Sequence, residues 1–124
     1  MAAVDSNYFD LEEVGPVAIV KMTIATIRHP PQALEFSADL VDLFEQYKRT
    51  KIVINFHDTH YLGSSAFAAL FGLSKRITPL GGKLVLCEMD HDLLTGANIL
   101  GLGHSATFCA TQAEALEVFS NEPS

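Results

Sequence analysis

Basic residues, cysteines and long apolar runs are all scarce in this sequence, and each scarcity argues against a class of function. The 124 residues include eight lysines and arginines against fifteen acidic residues, which gives a formal net charge of −7. This balance argues against nucleic acid as a partner, because phosphate binding requires clustered basic side chains. The sequence shows no signal peptide and no apolar run of membrane length, so we expect a cytoplasmic protein without direct membrane insertion.

The cysteines and histidines do not form a recognisable metal or redox motif. Cys87 and Cys109 lie in separate apolar, strand-like segments without CxxC spacing, which is typical of buried thiols in a reducing compartment. His57, Asp58 and His60 are close in sequence, but strand alternation would direct the two imidazoles to opposite faces. We therefore predict no metal site and no cofactor.

The sequence also gives little support for an enzyme. Residues 63–67 share features of a nucleophile elbow, but the closing glycine of that motif is missing. Ser65, Asp90 and His104 follow the chain order of a hydrolase triad, yet an α/β-hydrolase needs a much larger chain. Gly101 and Gly103 follow a predicted helix instead of joining a strand to a helix, so they are not a phosphate-binding fingerprint. We predict that the chain is not an enzyme.

Hydrophobic periodicity predicts a single α/β domain over residues 1–124, with an ordered core of about residues 8–119. Two strands joined at Gly15 are followed by alternating helices and strands, in the order ββαβαβαβα. Parallel pairing with right-handed crossovers then gives a mixed, mostly parallel sheet with helices packed on it. The predicted strands are 8–14, 17–27, 51–56, 83–87 and 107–110, and the predicted helices are 32–49, 64–78, 91–100 and 112–119.

The helix that follows Gly63 has two unlike faces. An apolar stripe is formed by Ala66, Leu70, Leu73 and Ile77. The opposite side carries mostly small residues where a solvated helix normally carries long charged ones: Ser65, Ala68, Ala69, Gly72 and Arg76. Either this side packs closely against another element of the same domain, or it is a smooth docking surface with Ser65 at its upper edge.

Ser64 and Ser65 lie where a buried strand leads into a helix N-terminus. Unpaired backbone N–H groups and the positive end of the helix dipole meet there, so an oxyanion is well placed. Phosphorylation would add about −1.5 to −2 charges, which the helix end tolerates. A partner pressed against the small-residue face would instead meet a hydrated dianion. This position therefore suits a switch that breaks an interface and leaves the fold intact.

The buried strand, the serine pair and Gly81-Gly82 before a second buried strand resemble the STAS family, the sulphate-transporter and anti-sigma-factor-antagonist domains. That family typically has Asp-Ser-Ser-Gly-Leu where this chain has Gly-Ser-Ser-Ala-Phe at residues 63–67. The resemblance implies a bacterial anti-sigma factor antagonist, or a similar partner-switching protein of sporulation or stress pathways. It further implies that Ser65 is the phosphorylated residue, with Ser64 as the second choice.

The resemblance also implies partners. The unphosphorylated chain would bind an anti-sigma factor that is a serine kinase of the histidine-kinase-like ATPase type, and a phosphatase would reset the switch. ATP belongs to the kinase. Two copies of the chain could also pair as a homodimer. The predicted partner-binding residues are Ser64, Ala68, Ala69, Gly72 and Arg76.

Three departures from the family pattern leave an alternative open. Gly63 and Ala66 replace the aspartate and glycine around the serines, and residues 26–29 replace a Gly-acidic-Leu-Asp signature. A STAS subunit that is not phosphorylated, in a stressosome or in a membrane lipid or anion transporter assembly, is therefore the alternative function.

Overall fold

A computed structural model describes residues 6–121, and five of its strands form one sheet. Residues 1–5 and 122–124 of the predicted domain lie outside the described residues. The strands are β1 (Phe9–Val14), β2 (Val17–Met22), β3 (Thr26–Ile27), β4 (Lys51–Asn55), β5 (Tyr61–Leu62), β6 (Lys83–Cys87) and β7 (Thr107–Cys109). The helices are α1 (Pro30–Glu45), α2 (Ser64–Ile77), α3 (His91–Ile99) and α4 (Gln112–Ser120), with short 3₁₀ turns at Thr78–Leu80 and Leu102–His104.

The main sheet has the strand order β1-β2-β4-β6-β7. β1 and β2 are antiparallel and meet at Gly15, whose φ of +56° is a conformation that glycine adopts without strain. β2, β4, β6 and β7 are mutually parallel and joined through helices. The predicted mixed, mostly parallel α/β sheet is confirmed.

The two faces of the sheet are covered by different helices. α1, α2 and α3 bury one face, where Phe36 and Leu70 pack against strand residues such as Ile54. α4 covers the other face and places Ala115 and Phe119 over apolar side chains of the central strands. β4 and β6 are consequently buried on both sides, which explains their unbroken apolar sequences.

The predicted second strand is too long. β2 ends at Met22, and residues 26–27 form β3, which pairs in parallel with β5 in a separate two-stranded sheet. β5 was not predicted. The first helix begins at Pro30, two residues earlier than predicted, because prolines suit the first turn of a helix. It ends at Glu45 instead of residue 49, and Lys48 beyond it has a φ of +57°.

The predicted caps of the last two helices are confirmed. A carboxylate oxygen of Asp90 accepts a hydrogen bond from the Leu93 N–H (2.9 Å), and the Thr111 hydroxyl accepts one from the Glu114 N–H (3.2 Å). Such caps satisfy N–H groups that a helix leaves without an internal acceptor. Among residues 6–121, no helix combines the length and apolar character needed to cross a bilayer.

Candidate functional site

The two serines open α2 and both are exposed. Gly63 is the N-cap residue, with an extended backbone (φ −70°, ψ 168°), and the helix begins at Ser64. The small β3–β5 sheet fixes the approach to this turn, because the Gly63 N–H donates a hydrogen bond to the Ile27 carbonyl (2.8 Å). On the inner side of α2, the predicted apolar stripe is buried. The serines are therefore held in solvent by a turn anchored on both sides.

The backbone at this helix end is open to an anion. Gly63 has no side chain that could cap the helix, and its carbonyl accepts hydrogen bonds from Ala66 (3.0 Å) and Phe67 (3.2 Å). The N–H groups of Ser64 and Ser65 have no backbone acceptor within residues 6–121. Exposed N–H groups in the first turn, together with the helix dipole, favour negative charge at this position.

An apolar groove of about 370 Å³ runs between the N-terminal halves of α1 and α2. Ser65 lies at its edge. The exposed Leu34 side chain, 72% accessible, contributes to its wall. Its lining residues are Pro30, Ala33, Leu34, Ser37, Ser65, Ala68 and Ala69. A partner residue bound in this groove would lie against the Ser65 hydroxyl.

Part of the small-residue side of α2 is exposed, as expected for a docking surface, and part of it packs within the domain. Ser64, Ala68 and Arg76 are exposed and Gly72 is half-buried, so a partner could reach these four residues. Ala69 lines the groove but is otherwise buried (8% accessible), so its role in partner binding stays a prediction. It is buried because α1 packs alongside α2, and the small Ala69 side chain lies between the two helices.

The Arg76 guanidinium lies 3.5 Å from a carboxylate oxygen of Glu45 on α1. This exposed ion pair marks the far end of the α1–α2 contact. It contributes little stability by itself, because solvent screens both charges.

Arg28, within the segment 26–29 that departs from the family signature, lies next to the serine turn. The Arg28 guanidinium carbon is 4.6 Å from the centre of the exposed Tyr61 ring, within cation–π range. The parallel pairing of β3 with β5 creates this contact. Because each strand has two residues, no periodic pattern in the sequence could reveal the pairing.

The histidines considered as metal ligands contact different carboxylates. His57 Nδ1 lies 3.5 Å from Glu88, and His60 Nδ1 lies 3.2 Å from Asp90. Within the described residues, no group of three or more potential ligands is placed to hold a metal ion. The hydrogen bond from the Leu93 N–H lowers the pKa of Asp90, and His60 lowers it further.

The triad considered from chain order does not assemble around Asp90. Its carboxylate caps α3 and contacts His60, whereas His104 lies in the 3₁₀ turn beyond the other end of that helix. α3 has nine residues, so about 14 Å of helix separates its ends.

A half-buried polar cluster at the carboxyl ends of β4 and β6 was also not predicted from the sequence. The Asn55 side-chain amide donates hydrogen bonds to Glu88 (3.1 Å) and Gln112 (3.0 Å), and its oxygen accepts one from the His57 N–H (2.8 Å). The Gln112 N–H donates to the same Glu88 carboxylate (3.1 Å). These bonds tie the start of α4 to the sheet and hold Glu88 at a φ of +56°. The cluster is internally satisfied and supports the fold.

The two thiols lie on neighbouring strands, with Cys87 of β6 directly opposite Cys109 of β7. Both are free, and Cys87 is fully buried. Burial raises the pKa of Cys87 to about 12 and also raises that of Cys109. Neither environment favours a reactive thiolate.

Comparison with known proteins identifies one family. A model of the STAS domain matches residues 10–115 of the chain. No functionally curated protein matches it in sequence.

Several solved structures share the fold. The anti-sigma factor antagonist SpoIIAA in its unphosphorylated form has a TM-score of 0.71 at 17% identity, covering 92% of this chain and 99% of that one. The Bacillus cell fate determinant SpoIIAA in its phosphorylated form has a TM-score of 0.68 at 20% identity, covering 90% and 98%. An anti-sigma-factor antagonist (STAS) domain protein from Planctomyces limnophilus has a TM-score of 0.78 at 16% identity, covering 89% and 95%.

A chain of the stressosome, a signal integration and transduction hub, has a TM-score of 0.66 at 15% identity and covers 90% of this chain and 96% of its own. At these identities, the similarity of all four structures establishes the architecture of the chain.

Proposed function

Because the chain belongs to the STAS domain family, we propose that it is a partner-switching protein of the anti-sigma factor antagonist type. In this proposal, the unphosphorylated chain binds an anti-sigma factor in the bacterial cytoplasm and releases it after phosphorylation of Ser65. The proposed partners are a serine kinase of the histidine-kinase-like ATPase type, a phosphatase and a second copy of the chain.

The observation that carries this proposal is the position of Ser65. Its hydroxyl is exposed at the start of α2, near N–H groups without backbone acceptors and at the edge of the apolar groove between α1 and α2. A kinase can reach the hydroxyl without unfolding the chain. Among the described residues, neither Ser64 nor Ser65 has a side-chain hydrogen bond to a base. This supports Ser65 as the acceptor of a phosphoryl group and not as a nucleophile activated by a base.

The proposed reaction transfers the γ-phosphoryl group of ATP to the Ser65 oxygen and releases ADP and the hydroxyl proton. The product carries about −1.5 to −2 charges at the edge of the groove. The helix dipole and first-turn N–H groups stabilise this charge within the chain. A partner group seated in the groove would have to desolvate it, so the complex dissociates while the domain stays folded.

The decisive experiment uses the cognate kinase with ATP and Mg²⁺, followed by intact mass and peptide mapping. We expect one added phosphate on Ser65 in the wild type, no addition in Ser65→Ala, and normal addition in the matched control Ser64→Ala. Equal far-UV circular dichroism of the three proteins shows that folding is unchanged. Phosphate mapped to Ser64 or to a threonine would overturn the residue assignment.

The alternative function has its own support, because Gly63 and Ala66 replace the residues that the family typically places around the serines. A STAS subunit of a stressosome or transporter assembly would need no phosphate at this turn. Absence of phosphorylation by any kinase, together with elution of the chain in a large assembly, would favour this alternative.

A further inference from the structure

Arg28 differs from the other two arginines of the chain in its contacts. Arg49 and Arg76 each pair with a glutamate. Within the described residues, Arg28 has no carboxylate within 4.0 Å, and its guanidinium stacks on the exposed ring of Tyr61. The planar group therefore keeps N–H donors available for an oxyanion.

The backbone places Arg28 beside the serine turn. Ile27 of β3 pairs with Leu62 of β5, so Arg28 is adjacent to Gly63. A Cβ atom at Gly63 would lie 3.4 Å from the Arg28 carbonyl oxygen. Ser64 follows immediately, at the usual Cα spacing of about 3.8 Å. The Arg28 backbone therefore lies next to the start of α2, and its side chain is long and exposed.

The first turns of α1 and α2 contain no carboxylate that could bind Arg28 in place of a phosphate. α3 and α4 have Asp92 and Glu114 in their first turns, as is common at helix N-termini. α1 and α2 have no acidic residue in theirs, although the chain contains fifteen. The two helix starts that border the groove are thus the ones left without negative charge.

We propose that Arg28 leaves Tyr61 and binds the phosphate of phosphorylated Ser65 within the same chain, holding it over the mouth of the α1–α2 groove. This inference rests on the proposed phosphorylation of Ser65. A charge-assisted, bidentate guanidinium–phosphate pair is stronger than a cation–π contact at an exposed site, so the exchange of partners is favourable. The held phosphate closes the groove to a partner, and a phosphatase must displace Arg28 to reach it.

The test installs phosphoserine at position 65 during translation, so no kinase is needed, and follows the phosphate by ³¹P NMR as a function of pH. Removing a nearby cation raises the second pKa of a phosphate. We expect Arg28→Gln to raise it by about 0.5 unit at low salt, and Arg28→Lys to raise it less. The difference should shrink in about 1 M salt, where the Debye length is about 3 Å.

Two matched variants identify the cation. Arg76→Gln removes the arginine at the far end of the same helix face and should leave the phosphate pKa unchanged. His29→Gln removes the imidazole that directly follows Arg28 in the chain, and it should also have little effect. The inference is overturned if the second pKa of the phosphate is the same in Arg28→Gln and Arg76→Gln. It is also overturned if this pKa rises only in His29→Gln.

A second readout covers the case in which Arg28→Gln does not fold. The Tyr61 ring resonances should shift between Ser65 and phosphoserine-65 proteins as the guanidinium leaves the ring, and unchanged resonances overturn the inference. A chain that no kinase phosphorylates would count against the proposed function, whereas the installed phosphate would still report on Arg28.

Discussion

At the residue scale, Asp90 shows how a single side chain links local structure to pH. Its carboxylate caps α3 through the Leu93 N–H and lies 3.2 Å from His60 Nδ1. The hydrogen bond from Leu93 favours the charged form, so the pKa of Asp90 is lowered in the folded chain. A folded-state pKa below the unfolded value contributes stability above the unfolded pKa of about 3.9, and this contribution is lost as the pH falls through the folded value.

We predict that Asp90→Ala lowers the free energy of unfolding by about 1 kcal/mol near pH 7, because α3 loses its cap. The difference in free energy of unfolding between the variant and the wild type should become smaller in acid, where the wild-type carboxylate is protonated. Urea denaturation at a series of pH values down to about 3 measures this. Asp90→Asn retains a capping oxygen without the charge and is the matched control. A gap that stays constant with pH would mean that the charge of Asp90 plays no part.

At the scale of elements, the connection from α2 to β6 is closed by backbone contacts around Gly82. The Gly82 N–H donates to the Ile77 carbonyl (2.9 Å), and the next N–H, of Lys83, donates to the Thr50 carbonyl (2.9 Å). A Cβ atom at Gly82 would overlap the Thr50 carbonyl oxygen and lie 2.8 Å from that of Ile77. These neighbours are main-chain atoms held in hydrogen bonds, so they cannot move aside easily.

We therefore predict that Gly82→Ala destabilises the domain by about 1–3 kcal/mol or more, as overpacking does. Gly72→Ala is the matched control. It lies inside α2 with nothing within 4 Å of its added Cβ, and should stabilise the domain by about 0.5–1 kcal/mol. Chemical denaturation of both variants gives the comparison. A similar effect of the two substitutions would contradict the close approach at Gly82.

The elements that the sequence predicted well are those with local determinants. Asp90 and Thr111 cap helices through N–H groups three residues away, so spacing alone was enough. The β3–β5 sheet was missed because its four residues pair across a distance of 35 positions in the chain. The sequence analysis noted residues 26–29 only as a departure from the family pattern. The contact of Arg28 with Tyr61 was not predicted, because it depends on the β3–β5 pairing.

Ala69 marks a different limit. Helical periodicity correctly grouped it with Ala68 on one side of α2, but periodicity does not say which neighbouring element covers that side. The α1 helix covers Ala69 and leaves Ala68 exposed. Both residues line the groove, but Ala68 is open to solvent and Ala69 is mostly covered.

At the scale of the whole molecule, the position of Ser65 separates the proposed interface from the core. The inner side of α2 packs into the sheet through buried residues such as Leu70 and Leu73, while the serines face solvent. Charge added at Ser65 therefore perturbs a surface and leaves the packed layers unchanged. The physical requirement of a switch, one that alters binding without unfolding, is met by this arrangement.

We predict that Ser65→Asp folds at least as stably as Ser65→Ala, because a carboxylate at a helix N-terminus is favourable. We also predict that it binds the proposed anti-sigma partner at least tenfold more weakly. An unpaired charge driven out of water at an interface costs about 2–5 kcal/mol. Because a carboxylate carries less charge than a phosphate, the aspartate should imitate phosphorylation incompletely.

Calorimetric titration of both variants against one partner, with thermal unfolding of each, separates binding from stability. Ala68→Arg adds bulk and charge to the same groove and leaves Ser65 unchanged. It should also weaken binding, with little change in thermal stability, because position 68 is an exposed helix position. Equal affinity of Ser65→Asp and Ser65→Ala would place Ser65 outside the contact and remove the basis of the phosphorylation switch. Unfolding of Ala68→Arg would show instead that the groove is part of the packed helix pair.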